Sequence, residues 1–243
     1  MTQAHDHVSN NHDSKPMTGI IGAMESEITA IREAMNDVSV SVISGMEFAT
    51  GTIAGSSVVV VQCGIGKVNA AICAQTLINT FGVGRVINTG VAGSLTKDLT
   101  INDFVVSSDA VQHDYDITVL GYAKGEIPYT GLFAFPADEE LRRRAVEAVR
   151  QAAPSSKVVE GRVCSGDQFI STPQQRDTIV AEFGGLCAEM EGAAIAQVCH
   201  LNETPYVIIR AISDGSDGMD FLEFQAEAAK ECASAVLTMV GNL

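Results

Sequence analysis

The chain has 243 residues, of which 46% are hydrophobic and 19% charged, so it can bury a substantial core within one large domain. Its formal net charge of -15 argues against nucleic acid or an anionic membrane as a partner, because both require clustered Lys and Arg. The sequence contains no run of eighteen apolar residues, which excludes a membrane-spanning helix.

The first sixteen residues are polar and include His5, His7 and His12. They lack the basic and apolar regions of a secretory signal. We expect residues 1–16 to form a disordered polar tail and residues 17–243 to form the folded domain. Adventitious metal binding by the three histidines is the alternative for the tail.

From Met17 onward, short apolar runs alternate with helical patterns. Strands are predicted at 19–24, 56–66, 84–93, 102–112, 157–166, 185–190 and 204–214. Helices are predicted at 25–35, 67–82, 138–153, 172–184, 191–202 and 221–240. This alternation predicts one three-layer αβα domain with a central mixed, largely parallel sheet. The irregular region 114–137 is long enough that we expect it to serve a site or an interface.

Six cysteines at positions 63, 73, 164, 187, 199 and 232 lie among apolar neighbours without CxxC or zinc-like spacing. We expect buried free thiols, and therefore a cytoplasmic protein. Adjacent residues of a helix point in different directions, so Cys199 and His200 do not form a catalytic pair.

Ligands bind beyond the carboxyl ends of strands in open α/β sheets. The segments there are GAMESE, CGIGK, NTGVAGS, SGDQFI, AEME and RAISDG. CGIGK lacks the P-loop spacing, and no GxGxxG follows a strand, so a nucleoside triphosphate or dinucleotide site is not expected. Anion binding at the helix start beside Lys67 and a plain strand–helix turn are equally acceptable interpretations of this segment.

These segments supply many carboxylates, including Glu27, Glu189, Glu191 and Asp214, while residues 184–200 contain no Lys or Arg. An acid-rich pocket suits a reaction that develops positive charge, such as cleavage of a glycosidic bond. That reaction needs one acid to protonate the leaving group and one base to activate water.

Six motifs in order, GIIGAMESEI, CGIGKVNAA, INTGVAG, SGDQFI, AEMEGAAIAQVC and RAISDG, resemble the 5′-methylthioadenosine/S-adenosylhomocysteine nucleosidases of the purine nucleoside phosphorylase-like superfamily. The resemblance runs from about Thr18 to the C-terminus. It implies hydrolysis of the adenine–ribose bond of 5′-methylthioadenosine, S-adenosylhomocysteine and 5′-deoxyadenosine in methionine salvage. It also implies a small-molecule nucleoside substrate, no metal or cofactor, and a homodimer.

Carried over by motif, Asp214 would protonate adenine and Glu27 would activate water. An N-cap or turn role is the alternative for Asp214. A first-turn helix acid is the alternative for Glu27, and it fits Glu25 better. Glu191 would hold the ribose hydroxyls, and Arg210 would hold Glu191 or the water. Glu189 would either shape the site or mark the start of a helix.

The resemblance also implies binding residues that the residue pattern alone would assign to the core. They are Met190 against the sugar, Phe169 and Ile170 at adenine, and Met24, Ile65 and Phe221 around the 5′ substituent. The partner subunit would be contacted through Ile117, Leu120 and Pro128.

The sequence departs from some family members at Val91, where they have Ser, at Leu120, where some are aromatic, and in a shorter segment before Phe221. These differences affect the expected substrate range. A phosphate-dependent phosphorylase and an aminodeoxyfutalosine nucleosidase of the same superfamily remain alternatives. A non-catalytic binding or storage protein is disfavoured because Glu27, Glu191 and Asp214 are all present.

Overall fold

The computed structural model describes residues 16–215 and 221–243. The predicted tail, with its three histidines, therefore lies outside the described residues except for Pro16.

Within these ranges the chain forms ten strands and six α-helices. The strands are β1 (Thr18–Gly22), β2 (Asn36–Ile43), β3 (Met46–Ile53), β4 (Ser56–Gln62), β5 (Arg85–Ser94), β6 (Phe104–Gln112), β7 (Phe135–Pro136), β8 (Val158–Ser165), β9 (Cys187–Glu189) and β10 (Tyr206–Asp214). The helices are α1 (Glu25–Glu33), α2 (Lys67–Phe81), α3 (Glu139–Ala152), α4 (Pro173–Phe183), α5 (Gly192–Leu201) and α6 (Phe221–Gly241). Every predicted helix and strand is present, with ends shifted by a few residues.

All strands belong to one sheet in the order β10-β6-β8-β9-β5-β1-β4-β3-β2, with β7 paired to β6. An additional parallel pairing of β10 with β5 closes five of these strands into a ring, β5-β10-β6-β8-β9. The other strands extend from the ring as an open wing. The predicted mixed sheet is confirmed, and its antiparallel ladders come from the wing and from the pairings of β6, β7 and β9.

Helices cover both faces of the sheet, which confirms the three predicted layers. On one face α1, α3 and α6 pack together, and on the other α2 packs against α5. Strand β10 lies between them, so successive side chains enter opposite cores: Ile208 joins one and Ile209 the other. A strand buried on both faces reads as a continuous apolar run, which explains the segment YVIIRAI.

Local signals set the helix ends. Helix α2 stops where Gly82 adopts the left-handed conformation, φ 63°, as predicted. Asp138 caps α3 by accepting the Leu141 N–H at 2.9 Å, and Thr172 caps α4.

The prediction omitted the β2–β3 hairpin. Val38, Val40 and Val42 alternate with polar residues along β2, and the turn contains Ser44 and Gly45 at positive φ. Strand β2 is the outer edge of the wing, so almost its whole length is exposed.

Region 114–137 is irregular, as expected, apart from a single 3-10 turn at Thr118–Leu120, an isolated bridge between Ile127 and Leu132, and β7. All six cysteines are free and buried, as predicted. No helix in the described ranges is long and apolar enough to cross a membrane.

Candidate active site

A cavity of about 180 Å³ opens where the ends of β1, β4, β5, β8, β9 and β10 converge. Closure of the five-stranded ring brings the ends of β5, β8, β9 and β10 together, with Gly93 of β5 paired to Ala188 of β9, and β1 and β4 continue the sheet beside β5. The cavity is lined by Ala23, Met24, Glu27, Ile65, Val91, Ala92, Gly93, Gln168, Phe169, Ile170, Ala188, Glu189, Met190, Glu191, Ser213, Asp214 and Phe221. It therefore gathers every predicted catalytic and substrate-binding residue except Arg210, which lies behind its wall.

Glu27 enters the cavity from the first turn of α1. Its Oε2 accepts the N–H groups of Ala23 at 2.6 Å and Met24 at 2.9 Å, and its Oε1 accepts that of Val91 at 3.0 Å. Burial raises the pKa of Glu27, and the charge of Arg210 and the backbone donors offset part of that increase. A carboxylate with a raised pKa and a fixed position suits a general base.

Glu25 and Glu27 both lie in the first turn of α1, so the first-turn acid expected at Glu25 is present, and Glu27 additionally caps the helix. Glu27 is the third residue of α1 and bonds back to the N-cap backbone at Met24, whereas the Glu25 side chain is exposed. Capping and site formation are thus functions of the same carboxylate.

Glu191 stands at the N-cap of α5, and its Oε1 accepts the Gly66 N–H at 2.8 Å. Burial, followed by the charge of Glu189, raises the pKa of Glu191 to about 8. The two carboxyl groups are close in sequence, but their surroundings differ.

Glu189 is the last residue of β9, and its carboxylate is hydrogen-bonded by groups from several elements. It accepts hydrogen bonds from Ser165 Oγ, from Arg210 Nη2 and from the Gly192 N–H at 2.8 Å. Ser165 Oγ in turn accepts the Ala193 N–H at 2.7 Å. Glu189 therefore neutralises a buried arginine and satisfies the first turn of α5 together, which unites both roles that the sequence allowed.

Arg210 lies on β10, 2% exposed, and also donates to Asn88 Oδ1 at 2.6 Å. Its Nη2 is 4.0 Å from Glu191 Oε2, so the predicted partner Glu191 is secondary and Glu189 is the primary one. Burial lowers the pKa of a guanidinium, but the charges of Glu189, Glu27 and Glu191 outweigh it and raise the pKa of Arg210. The cation missing from residues 184–200 comes from this distant strand.

Asp214 ends β10, 3% exposed, and Ser213 Oγ donates to its Oδ1 at 2.8 Å. The pairing of β10 with β5 shifts register between Ile212 and Asp214. Such a bulge re-aims a strand-end side chain, and Asp214 here lines the cavity.

Aromatic and aliphatic side chains form the rest of the cavity. Phe169 and Phe221 meet edge to face with ring centroids 5.2 Å apart. Ile170 is buried, whereas Phe169 and Ile65 are about half exposed. An aromatic ring that is only half covered by protein leaves a face available for a planar ligand.

The start of α2 binds anions, but they are carboxylates of the chain itself. Gly66 N–H bonds Glu191, and Lys67 N–H bonds Asp167 Oδ1 at 2.8 Å. The Lys67 ammonium lies 2.6 Å from Asp114 Oδ1. The anion position that the sequence suggested beside Lys67 is therefore filled by these acids.

Ile117, Leu120 and Pro128 are not among the residues that line the cavity. Leu120 and its neighbour Val119 are instead strongly exposed. Sequence reasoning missed Ser165 and Asn88, which hold Glu189 and Arg210. Both sit in the quoted motif regions, but nothing in their type distinguishes them from strand residues.

Comparison with known proteins agrees with this geometry. The family model described as the phosphorylase superfamily matches residues 18–241. A 5′-methylthioadenosine/S-adenosylhomocysteine nucleosidase of Staphylococcus carnosus is 42% identical over 231 residues, which cover 93% of this chain and all of the relative.

Two solved structures are similar over 94% of the chain. One is a 5′-methylthioadenosine/S-adenosylhomocysteine nucleosidase from Neisseria meningitidis in complex with methylthio-immucillin-A, with a TM-score of 0.90, 38% identity and complete coverage of that chain. The other is a futalosine hydrolase of Helicobacter pylori, with a TM-score of 0.89, 35% identity and 98% coverage. The chain therefore belongs to the 5′-methylthioadenosine/S-adenosylhomocysteine nucleosidase family within the phosphorylase superfamily.

Proposed function

We propose that the protein is an N-glycosyl hydrolase that releases adenine from 5′-methylthioadenosine and S-adenosylhomocysteine, and also from 5′-deoxyadenosine, in methionine salvage. One observation carries the proposal: the cavity combines Glu27, Glu191 and Asp214 with a half-exposed aromatic ring, and its described lining contains no Lys or Arg. Such surroundings favour a planar base and a sugar that becomes cationic.

Asp214 gives its proton to the departing adenine at N7, so the electron pair of the broken C1′–N9 bond enters the base. Water attacks C1′ and passes its proton to Glu27, which the N–H groups of Ala23 and Val91 hold in place. The charge of Arg210 lowers the pKa of Glu27 and so offsets part of the increase that burial causes.

Glu191 accepts the ribose hydroxyls, and Met190 lies against the sugar. Phe169 stacks on adenine while the Ile170 backbone and Asp214 contact its edge. Met24, Ile65 and Phe221 surround the 5′ substituent; all three line the same cavity.

The protein works as a homodimer in this proposal. Ile65, just before α2, and Val68 and Ile72 on that helix form an exposed apolar row that begins at the cavity wall. Ile117, Leu120 and Pro128 of one subunit complete the 5′ pocket of the other. Its compartment is the cytoplasm, since six thiols remain reduced.

Sedimentation and kinetics test the dimer. Leu120→Asp should lower the dimer fraction and raise KM, because a charge enters an apolar contact. Val42→Asp is the matched control, since Val42 is 69% exposed and Leu120 71%. A Leu120→Asp protein that behaves like the control would contradict this arrangement.

A phosphorylase is disfavoured because the candidate phosphate-binding cations are already paired with acids. Lys67 binds Asp114, Arg210 binds Glu189, and Arg32 lies 3.5 Å from Glu47. Hydrolysis of aminodeoxyfutalosine is the second candidate function, and the similarity to the Helicobacter pylori futalosine hydrolase favours it.

A substrate panel decides between these activities. 5′-Methylthioadenosine, S-adenosylhomocysteine, 5′-deoxyadenosine and aminodeoxyfutalosine are incubated with the protein in phosphate-free buffer, and the free base is measured by chromatography. The proposal is supported if adenine is released from 5′-methylthioadenosine and S-adenosylhomocysteine with a kcat/KM equal to or higher than that for aminodeoxyfutalosine. Strict dependence on added phosphate, or activity on aminodeoxyfutalosine alone, contradicts it.

A further inference from the structure

Three buried carboxyl groups share one guanidinium in this site. The charges that act on Arg210 are those of Glu189, Glu27 and Glu191. Only Glu189 has a direct hydrogen bond from it, whereas Glu191 Oε2 is 4.0 Å away and Glu27 is bonded to backbone N–H groups. Arg210 is thus hydrogen-bonded to Glu189, which is the one of the three carboxylates that has no role in the proposed reaction.

This assignment is fixed by the surroundings of Glu189. Ser165 Oγ donates to it from β8, and the N–H groups of Glu191 and Gly192 donate at 3.2 and 2.8 Å from the start of α5. On the other side, Asn88 holds the same Nη2 atom of Arg210, and its own amide bonds Ile21 O at 3.0 Å. Glu189 is thus held from β8 and from the start of α5, and Arg210 is held from β5.

We propose that Glu189, held by Ser165, is a positioning residue that engages the charge of Arg210 and thereby keeps it from ion-pairing with Glu27, which takes the proton of the attacking water, or with Glu191, which holds the ribose hydroxyls. The proposal rests on the hydrolytic function given above. If Glu189 did not engage Arg210, the guanidinium would be free to ion-pair with Glu191 or Glu27 and would hold either one ionised.

Other titratable groups also face this cluster. They are Cys63 after β4, Cys164 on β8, Cys187 on β9, Asp214 at the end of β10, Cys232 on α6 and His113 after β6. Burial raises the pKa of all four thiols, so they are neutral around pH 7. Burial lowers the pKa of His113, which leaves it neutral as well.

The charges of Glu189 and Arg210 act on the pKa of Glu191 in opposite directions. Glu189 is the second cause, after burial, of the raised pKa of Glu191, and Arg210 lowers it. Replacing Glu189 by a neutral residue removes the negative charge that raises the pKa of Glu191. It also frees the positive charge of Arg210, which lowers that pKa, so both changes lower the pKa of Glu191. The charge of Arg210 lowers the pKa of Glu27 in the same direction.

The test is the pH profile of kcat/KM for adenine release, whose acid limb reports the ionisation of essential carboxyl groups in the free enzyme. In Glu189→Gln the acid limb should move to lower pH by at least about one unit, as expected when an opposite charge becomes available at this distance. Glu25→Gln is the matched control, since Glu25 is exposed, and its profile should equal that of the wild type.

Two more variants keep the proposal testable if Glu189→Gln does not fold. Ser165→Ala loosens Glu189 without changing any charge and should move the limb in the same direction by less. Glu189→Asp restores the charge and should return the limb toward the wild-type position. A lower rate with an unmoved limb, or a limb that moves to higher pH, would overturn the proposal. Failure of the wild type to release adenine at any pH would instead reject the proposed function.

Discussion

Lys67 Nζ donates a hydrogen bond of 2.6 Å to Asp114 Oδ1, and Asp114 Oδ2 accepts the Asp167 N–H at 2.8 Å. Although burial raises the pKa of Asp114, these hydrogen bonds outweigh it and lower that pKa below its usual value. The ion pair thus connects the start of α2 to the loop that carries Phe169. A lysine that resembles a phosphate ligand in sequence thus supports the loop that carries Phe169.

Lys67→Met should therefore impair binding more than chemistry. We expect KM for 5′-methylthioadenosine to rise roughly tenfold, because Asp114, which accepts the Asp167 N–H of the loop, loses a charged hydrogen bond and holds the loop less firmly. Steady-state kinetics with and without phosphate measure this. Lys97→Met, on an exposed lysine, is the control. Phosphate-dependent activity of the wild type that is lost in Lys67→Met would show that Lys67 binds phosphate after all.

Asp214→Asn should remove the proton that adenine needs in order to leave. We expect kcat to fall by about 10²- to 10⁴-fold, the range for loss of a general acid. The far-ultraviolet circular dichroism spectrum should be unchanged, because an amide can still accept from Ser213. Asp98→Asn, an exposed substitution of the same type, should keep full activity. Normal turnover by Asp214→Asn would refute its role.

The raised pKa of Glu191 links stability to pH. Between its ordinary value of 4.5 and about 8, the folded protein holds a proton at Glu191 that the unfolded chain has released. The free energy of unfolding should therefore decrease as pH rises through this window, by at most about 1.4 kcal/mol per pH unit from this group.

Urea unfolding of the wild type and Glu191→Gln from pH 5 to pH 8.5 checks this dependence. The variant should lose stability less steeply, because its amide does not titrate. Equal slopes for the two proteins would mean that Glu191 does not titrate in this range.

Gly90→Ala should reduce activity although it adds only a methyl group and alters no polar or charged group. A Cβ at Gly90 would lie 2.6 Å from Arg210 Nη1 and closer still to Glu27 Oε1. We expect kcat/KM to fall by roughly a hundredfold from displacement of Glu27, and stability to fall by about 1–3 kcal/mol from overpacking.

Gly241→Ala provides the control, because its added Cβ makes only an ordinary contact of 3.7 Å with Ala54. Calorimetry and adenine release measure both effects. An active and fully stable Gly90→Ala protein would contradict the close packing of Glu27 and Arg210.

The sequence predicts the helices and the buried strands because each carries a local signal. Gly82 after α2 and the apolar run of β10 are visible without knowledge of the fold. The hairpin of β2 and β3 also has a signal, the alternation of Val38, Val40 and Val42, but this is the period-two pattern of an exposed edge strand and differs from the continuous apolar run of a buried one.

Closure of the ring could not be predicted in this way. It depends on pairing of β10 with both β5 and β6, and such long-range pairings leave no local periodicity. The same limit applies to Arg210. Its sequence position does not distinguish Glu189 from Glu191, and the choice follows from Ser165 and Asn88, which other strands supply.

The closed ring also divides the molecule into parts of unequal resistance to local opening. Strands β5 and β10, buried along almost their entire length, exchange hydrogen bonds with neighbours on both sides, and they carry Gly93, Arg210 and Asp214. Among the described strands, β2 pairs with β3 alone. Amide protons of the ring should therefore exchange with deuterium only through global unfolding, while those of the wing edge exchange through local fraying. Glu189 and Asp214 thus lie on the slowest-exchanging part of the sheet, and Glu27, on α1, is tied to it through the Val91 N–H, so fraying of β2 leaves their spacing unchanged.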